Sequence, residues 1–320
     1  MLELSRVTAG YGRHEVLTEV DLNLREPGLY LVLGANGSGK STLLKVASGR
    51  LRPRQGQVRL DGVQLYRLFG DDVPYHEFVS FGAIPDSDAS LLEMYRLKLE
   101  AVGRGPTLTD FIRGYDVPWT AKQFVRVRGG MLSTSEKSEL LLLLGLAASP
   151  RFLFVDEVFS QCGRDVTERM TGNLQRWSNA TGGLALVAST RYGGYMDVFA
   201  GCFVLSEGKL RPLPGSTGKM EAAVPLAGDP IVGTDSRSRD EREVAFVFGE
   251  YFYRHQRVAR DNPHFELEAV LENALLVRLK GTLDGALAYL REMGLDPVRI
   301  ELMPSPSDED SAASAESSES

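Results

Sequence analysis

Apolar and polar positions along the chain follow two distinct patterns. Three short runs, YLVLG at 30–34, FLFVDE at 152–157 and LALVAST at 184–190, are almost continuously apolar, which is typical of buried parallel strands. The stretch KSTLLKVASG at 40–49 and residues 165–178 show helical spacing. Strands separated by helices predict an α/β fold built around a parallel sheet.

The rest of the amino-terminal part adds other elements. Residues 1–33 predict short strands, and QVRLDGVQLY at 57–66 alternates around Asp61 and Gly62 as a hairpin does. From about residue 87 to 145 the spacing becomes helical, with interruptions at Pro106 and Pro118. We therefore expect a mainly helical insertion between the parallel strands.

The composition changes after KLRPLPG. Residues 216–243 are rich in Gly, Pro, Ser and mixed charge, which indicates a linker. Residues 244–303 predict a small α+β domain with two or three strands and a helix in DGALAYLREMG. Residues 304–320 hold too few apolar side chains to offset their ordering entropy, so a disordered acidic tail is predicted.

Charge and composition narrow the possible partners. The net charge is -7, yet most of that excess lies in the tail at Asp308, Glu309, Asp310, Glu316 and Glu319. In the linker, arginines are interleaved with acidic residues, which favours a solvated segment over a nucleic-acid patch. We predict no nucleic-acid partner.

Membrane insertion and disulfide bonding are not expected. The longest apolar run, LLLLLGLAA at 140–148, is far shorter than the roughly 20 residues that span a bilayer, and the start of the chain does not resemble a secretory signal. The two cysteines show no disulfide or metal spacing and fit a reducing compartment. If the protein acts at a membrane, another polypeptide must supply the span.

The stretch LGANGSGKST at 33–42 matches the pattern G-x-x-x-x-G-K-[ST]. Glycines let successive amides turn toward an anion, the following helix adds its positive end, and a lysine reaches the outer phosphates. The alternative is an ordinary glycine-rich turn. We predict that these residues bind ATP: Gly34, Ala35, Asn36, Gly37, Ser38, Gly39, Lys40, Ser41 and Thr42.

A triphosphate site also needs carboxylates, and FLFVDE provides two at the end of a buried strand. We predict that Ser41 and Asp156 hold Mg²⁺, while Glu157 orients or deprotonates an attacking water and Lys40 stabilises the transferred charge. The alternative is a strand that simply ends in solvent.

Together these residues resemble the ATP-binding cassette (ABC) family over residues 1 to about 213. Tyr11 lies where the family places an aromatic ring that stacks on adenine. FLFVDE resembles the family's Walker B strand, and VLSEGKL resembles its closing hairpin. The resemblance implies a P-loop NTPase fold with a RecA-like core sheet, an antiparallel β subdomain and a helical subdomain at about 87–145. Residues 1–215 would form this ATP-binding domain.

The family's LSGGQ signature is altered here. Ser133 in MLSTSEK lies 23 residues before Asp156, where the signature serine is expected, but Glu136 stands in place of glutamine. In the family this loop closes over the γ-phosphate held by the opposite subunit. Ser133 is therefore a candidate ATP contact in a loop whose closure Glu136 weakens. The alternative is that this segment is only a helix cap, with Ser133 or Ser135 at the start of a helix at 137–147.

Two further positions depart from the family pattern. Asp86 replaces the glutamine that approaches Mg²⁺, and it is either a metal ligand or a turn residue after Pro85. Arg191 replaces the histidine after the last core strand; it can neutralise a γ-phosphate but cannot exchange a proton at neutral pH. These departures predict nucleotide binding that is better preserved than turnover.

The resemblance predicts a function in transport. Residues 244–303 loosely resemble the carboxyl-terminal extension of cassettes from ABC-2-type exporters. The chain would therefore be the ATP-binding and ATP-hydrolysing subunit of such an exporter, slow alone, with ATP and Mg²⁺ as ligands. Its partners would be an integral membrane permease and a second ABC subunit, identical or more regular, at the cytoplasmic face of the membrane. The alternative is a non-transport, ATP-dependent regulatory switch.

Overall fold

The computed structural model describes residues 1–66, 75–81, 88–191, 198–213, 243–248, 262–271, 273–293, 295 and 297–302. The strands are β1 (Leu2–Tyr11), β2 (His14–Leu24), β3 (Gly28–Leu33), β4 (Gln55–Leu60), β5 (Val63–Gln64), β6 (His76–Ser80), β7 (Phe152–Asp156), β8 (Leu184–Ser189), β9 (Gly201–Ser206), β10 (Lys209–Pro212), β11 (Glu243–Val247), β12 (Phe265–Val270), β13 (Ala274–Leu279) and β14 (Arg299–Leu302). The helices are α1 (Lys40–Ala47), α2 (Leu91–Val102), α3 (Leu108–Gly114), α4 (Ala121–Arg126), α5 (Thr134–Ala147), α6 (Arg164–Thr181) and α7 (Leu283–Glu292).

A six-stranded sheet carries the candidate site. Its order is β10-β9-β3-β8-β7-β6, with β3, β6, β7, β8 and β9 parallel and β10 antiparallel at one edge. All residues of β7 and β8 are buried, as their continuous apolar runs predicted. Because β3 and β7 are both paired to β8 in the same direction, their carboxyl ends meet at one edge.

Apolar side chains cover both faces of this sheet. Helix α1 packs on one face together with the antiparallel sheet of order β2-β1-β4-β5. Helices α5 and α6 cover the other face, where Met170, Leu174 and Trp177 are fully buried. The predicted hairpin around Asp61 and Gly62 is confirmed as the β4–β5 pair.

Helices α2 to α5 form the predicted helical insertion. Ser90, Thr107 and Thr120 cap the amino ends of α2, α3 and α4, and the first two helices are separated by the segment that contains Pro106. Asn173 of α6 ties this layer to the core: its side chain accepts from the amide of Asp116 at 2.8 Å and donates to the Asp116 carbonyl at 3.0 Å.

A third sheet, of order β12-β13-β11-β14, lies at the carboxyl-terminal end with α7 packed on it. The sequence predicted two or three strands here, and the described residues form four. The additional strand β12, FELEAV, contains two glutamates, which are poor strand formers. Pairing with β13 stabilises it, and Glu268 meets Arg211 and Arg278 at 2.9 Å each.

The third sheet shares an apolar cluster with the core. Leu213 at the end of the β9–β10 hairpin belongs to the same buried cluster as Val247 and Leu276. Among the described helices, none is long and apolar enough to cross a membrane. The predicted linker, apart from Glu243, and the predicted tail lie outside the described residues.

Candidate functional site: a phosphate loop facing two carboxylates

The glycine loop lies between β3 and α1, the context that its pattern requires. Gly39 immediately precedes α1 with φ of 105°, and a Cβ atom there would lie 2.8 Å from Cγ1 of Val16. Gly37 also has a positive φ, with nothing within 4 Å of the place where a Cβ would lie. The loop therefore needs glycine for its backbone at both positions and leaves open space beside Gly37.

The Lys40 side chain is directed back along the loop. It is 4% exposed, and its ammonium donates to the carbonyls of Gly34 at 2.9 Å and Ala35 at 3.0 Å. It also pairs with Oε1 of Glu157 at 3.0 Å. A buried ammonium held among oxygen atoms is ready to exchange partners with a phosphate oxygen.

Ser41 and Asp156 form the second contact between loop and strand. The Ser41 hydroxyl donates to Oδ1 of Asp156 at 2.9 Å. These two groups come from α1 and β7, 115 residues apart in the chain. Their oxygens are of the type that Mg²⁺ prefers, together with substrate phosphates.

The residues present fit ATP and magnesium. The Ser38 hydroxyl is buried in the loop and has no hydrogen-bond partner among the described residues, so a phosphate oxygen would satisfy it. In the described part of the chain no cluster of three or more His, Cys, Asp or Glu side chains is able to hold a metal. A metal at Ser41 and Asp156 would also bind phosphate and water, and Asp86, the third predicted ligand, lies outside the described residues.

Burial raises the pKa of both carboxyl groups above the ordinary range. For Asp156 the Ser41 hydroxyl opposes the shift, and for Glu157 the Lys40 ammonium opposes it. A raised pKa makes Glu157 a better proton acceptor than an exposed glutamate. Its position suits the predicted role of activating water.

Glu157 has an unusual backbone conformation. Its φ is 54°, in the left-handed region, where a side chain costs roughly 1–2 kcal/mol. The Ser160 hydroxyl donates to the Glu157 carbonyl at 2.8 Å, and the Glu157 amide donates to the Ala188 carbonyl at 3.2 Å. These bonds hold the carboxylate toward Lys40.

Sequence reasoning missed Thr190 and Ser160. Thr190 is buried, and its hydroxyl donates to Oε2 of Glu157 at 3.4 Å. The available signal was strand order: β7 and β8 are adjacent, with Asp156 opposite Ala188, so the residues after each strand lie close together. Arg191 follows Thr190, and its guanidinium contacts the Ser160 carbonyl at 3.5 Å.

Tyr11 lies at the end of β1, opposite His14 of β2. Its ring is 48% exposed. Two residues after His14, Val16 borders Gly39 of the loop. The tyrosine is therefore at the strand end that approaches the phosphate loop, as an adenine-stacking ring requires.

Ser133 caps helix α5, so the helix-cap interpretation is confirmed. Its hydroxyl accepts from the Glu136 amide at 3.3 Å and donates to Oε2 of Glu136 at 2.6 Å. The Ser133 amide donates to the same carboxylate oxygen at 2.8 Å. The predicted role of Ser133 toward an opposite subunit stays a prediction, and Asp86 lies outside the described residues.

Comparison with known proteins agrees with this geometry. Residues 17–160 match the family model described as ABC transporter. The chain is 30% identical over 205 residues to the Fe(3+) ions import ATP-binding protein FbpC of Streptomyces avermitilis, covering 60% of this chain and 56% of that protein. It is 30% identical over 184 residues to the taurine import ATP-binding protein TauB of Pseudomonas fluorescens, covering 53% and 64%. The chain thus spans less than two thirds of these relatives.

Solved structures show the same fold. A dimeric ATP-binding cassette in a post-hydrolysis state, bound to ADP and Pi, aligns with a TM-score of 0.55 and 20% identity over 67% of this chain and 100% of that chain. A nucleotide-free cassette aligns with a TM-score of 0.51 and 17% identity over 66% and 89%. The predicted P-loop NTPase fold is confirmed, and residues 17–160 are similar to the ABC transporter family model.

Proposed function

We propose that this chain binds and hydrolyses ATP and couples ATP-driven dimerisation to transport through a separate membrane protein. The observation that carries the proposal is the assembled cluster of Lys40, Ser41, Asp156 and Glu157. A similar cassette is described as a dimer bound to ADP and Pi, which supports dimerisation with a second ABC subunit.

Each of these residues has a distinct proposed role toward a bound triphosphate. The amides of the loop and the Lys40 ammonium bind the phosphates, while Ser41 and Asp156 would hold Mg²⁺, which supplies charge neutralisation at the phosphate oxygens. Glu157 gives up its ion pair with Lys40 and accepts the proton of a water that attacks the γ-phosphorus. The bond from that phosphorus to the oxygen bridging the β and γ positions breaks, and ADP and phosphate leave. Thr190 and Ser160 keep the carboxylate in place.

The surface for the membrane partner is proposed on the helical layer. A groove of about 520 Å³ runs along α2, lined by Leu97, Arg96, Arg128 and neighbouring acidic residues. Leu97 is an exposed large apolar side chain, and an apolar residue in a charged groove is typical of a contact site. A permease segment would bind here, at the cytoplasmic face of the membrane.

The direction of transport stays a prediction. Export was predicted from the loose likeness of residues 244–303 to the carboxyl-terminal extension of exporter cassettes, whereas two similar proteins are import ATP-binding proteins. Uptake and efflux measured in membrane vesicles that contain the chain and its permease would separate the two directions.

One observation favours the second candidate, a regulatory switch with little hydrolysis. The Glu136 carboxylate accepts the hydrogen bond of the Ser133 hydroxyl. It also places a negative charge where a signature loop would approach a γ-phosphate. Such a cassette would bind ATP and turn it over slowly.

The test combines binding, turnover and partners. Calorimetry with Mg-ATP on the full chain is expected to show one site, and detergent extraction is expected to recover a membrane protein with it. ATP binding without a membrane partner supports the switch. Absence of ATP binding overturns both functions.

A further inference from the structure

A cleft of about 730 Å³ separates the phosphate loop from the third sheet. Its lining includes Ala35 to Ser38 of the loop, the β9–β10 hairpin, and β12 and β13. Tyr11, Lys40, Asp156 and Glu157 are not among the described residues that line it. The volume lies within the range of roughly 300–1,000 Å³ that small-molecule sites occupy.

The charged lining of the cleft consists of four cationic and three acidic side chains. Glu268 lies between Arg211 and Arg278 and bonds both at 2.9 Å. Lys209 and Lys280 are exposed at the rim. The complete charged lining is Lys209, Arg211, Arg278 and Lys280 against Glu207, Glu266 and Glu268. The cleft is thus net positive on a protein of net charge -7, which favours an anion.

Apolar side chains lie beside these cations. Pro212 is exposed, Leu267 and Val270 are partly buried, and all three line the cleft. A purely inorganic anion would leave this surface in water, whereas a ligand with an apolar body would cover it. The lining therefore favours an organic anion of modest size.

The cleft is mechanically connected to the nucleotide site. A Cβ atom on Gly34 would lie 2.6 Å from the Leu205 carbonyl, so the phosphate loop packs directly on the β9–β10 hairpin. The hairpin turn is tied to β2 by a hydrogen bond from the Thr18 amide to the Gly208 carbonyl at 2.9 Å. The Arg211–Glu268 ion pair ties the same hairpin to β12.

We propose that this cleft binds a small organic anion with an apolar body, and that its occupancy changes the affinity of the phosphate loop for ATP. A bound ligand would touch Ala35 to Ser38, whose amides also serve the phosphates, so the two sites share a structural element. The coupling rests on the proposed ATP binding, whereas the anion site stands without it.

The test uses the full chain with 1-anilinonaphthalene-8-sulfonate, an aromatic anion, as a fluorescent probe in the presence of saturating Mg-ATP. We expect saturable binding of one probe per chain. Octanoate is expected to displace it and octylammonium, of matched length and opposite charge, is not. Equal displacement by both, or the absence of saturable probe binding, would overturn the anion site.

Charge reversal at the rim locates the site. Lys209→Glu combined with Lys280→Glu is expected to weaken octanoate binding about tenfold, since two exposed cations at the rim are replaced by anions. Lys122→Glu, on the exposed side of α4, is the matched control and leaves octanoate binding unchanged. Wild-type affinity in the double variant would show that the ligand binds elsewhere.

Coupling is measured separately. Saturating octanoate is expected to change the dissociation constant for ATP at least about fivefold, and the double variant loses this response while binding ATP normally. An unchanged ATP affinity overturns the coupling. If the chain binds octanoate but no ATP, the proposed function fails and the anion site survives.

Discussion

The phosphate site and the start of α5 satisfy their polar groups in opposite ways. At the phosphate site, Lys40 and Ser41 bond to Glu157 and Asp156 across more than a hundred residues of sequence. At the start of α5, Ser133 and Glu136 satisfy each other within one helical turn. The first arrangement exists only in the folded chain, whereas the second needs only a helix.

This difference bears on what each region is able to bind. The phosphate site holds an ammonium and a buried hydroxyl without a partner among the described residues, both of which attract phosphate, and it has open space beside Gly37. The start of α5 offers a carboxylate that already occupies its serine, and a carboxylate repels phosphate. We therefore expect the chain to take ATP readily at its own loop and to serve an opposite subunit poorly.

The largest expected effect on ATP binding follows from Lys40→Ala. The variant lacks the ammonium that exchanges its carbonyl and carboxylate partners for phosphate oxygens. Its affinity for ATP should therefore fall by at least about a hundredfold. Calorimetry with Mg-ATP measures this. Lys122→Ala is the surface control, and equal affinity in both variants would contradict the assigned role.

Glu157→Gln separates turnover from binding. Loss of the proton acceptor should reduce ATP hydrolysis by about 10²–10⁴-fold, while ATP affinity changes little because the loop is intact. Steady-state phosphate release gives the rate. Glu168→Gln on the exposed side of α6 is the control, and hydrolysis that survives in Glu157→Gln would show that another group activates water.

Glu136→Gln tests the start of α5. Glutamine preserves the capping box and removes the negative charge, so ATP-dependent association of chains should rise several-fold. Sedimentation with and without ATP measures the association. Affinity of the single chain for ATP should not change, and a change there would mean that Glu136 acts on its own phosphate loop.

Ser133→Ala sharpens the same comparison. It removes the cap of α5 and should lower the free energy of unfolding by about 1 kcal/mol, with no loss of ATP affinity in the single chain. Denaturant unfolding measures the first quantity and calorimetry the second. A loss of ATP binding without a loss of stability would assign Ser133 to the chain's own site.

The smallest effect concerns pH. Burial raises the folded-state pKa of Glu157, so the stability that this group contributes is present below the unfolded pKa and lost as pH rises through the folded pKa. Glu157→Gln removes that loss. The difference in unfolding temperature, Glu157→Gln minus wild type, should increase by about 2 °C from about pH 4.5 to pH 7.5 without nucleotide. A constant difference would mean that the carboxyl pKa is the same in both states.

Much of this architecture was predictable because its signals are local. The glycine loop, the buried strands β7 and β8 and the cap at Ser133 each follow from a few adjacent residues. Strand β12 was missed because Glu266 and Glu268 oppose strand formation locally, and the pairing that stabilises it comes from β13 and Arg211. Thr190 was missed because its contact with Glu157 depends on which strands are neighbours.

The two hydrogen bonds between Asn173 and Asp116 couple the helical layer to α6. Rotation of the helical layer toward another subunit must either break two hydrogen bonds or carry α6 with it. Helix α6 begins at Arg164, a few residues after Glu157 and Ser160. A displacement of the outer helices is therefore transmitted through these hydrogen bonds and α6 to the loop that carries the Glu157 carboxylate.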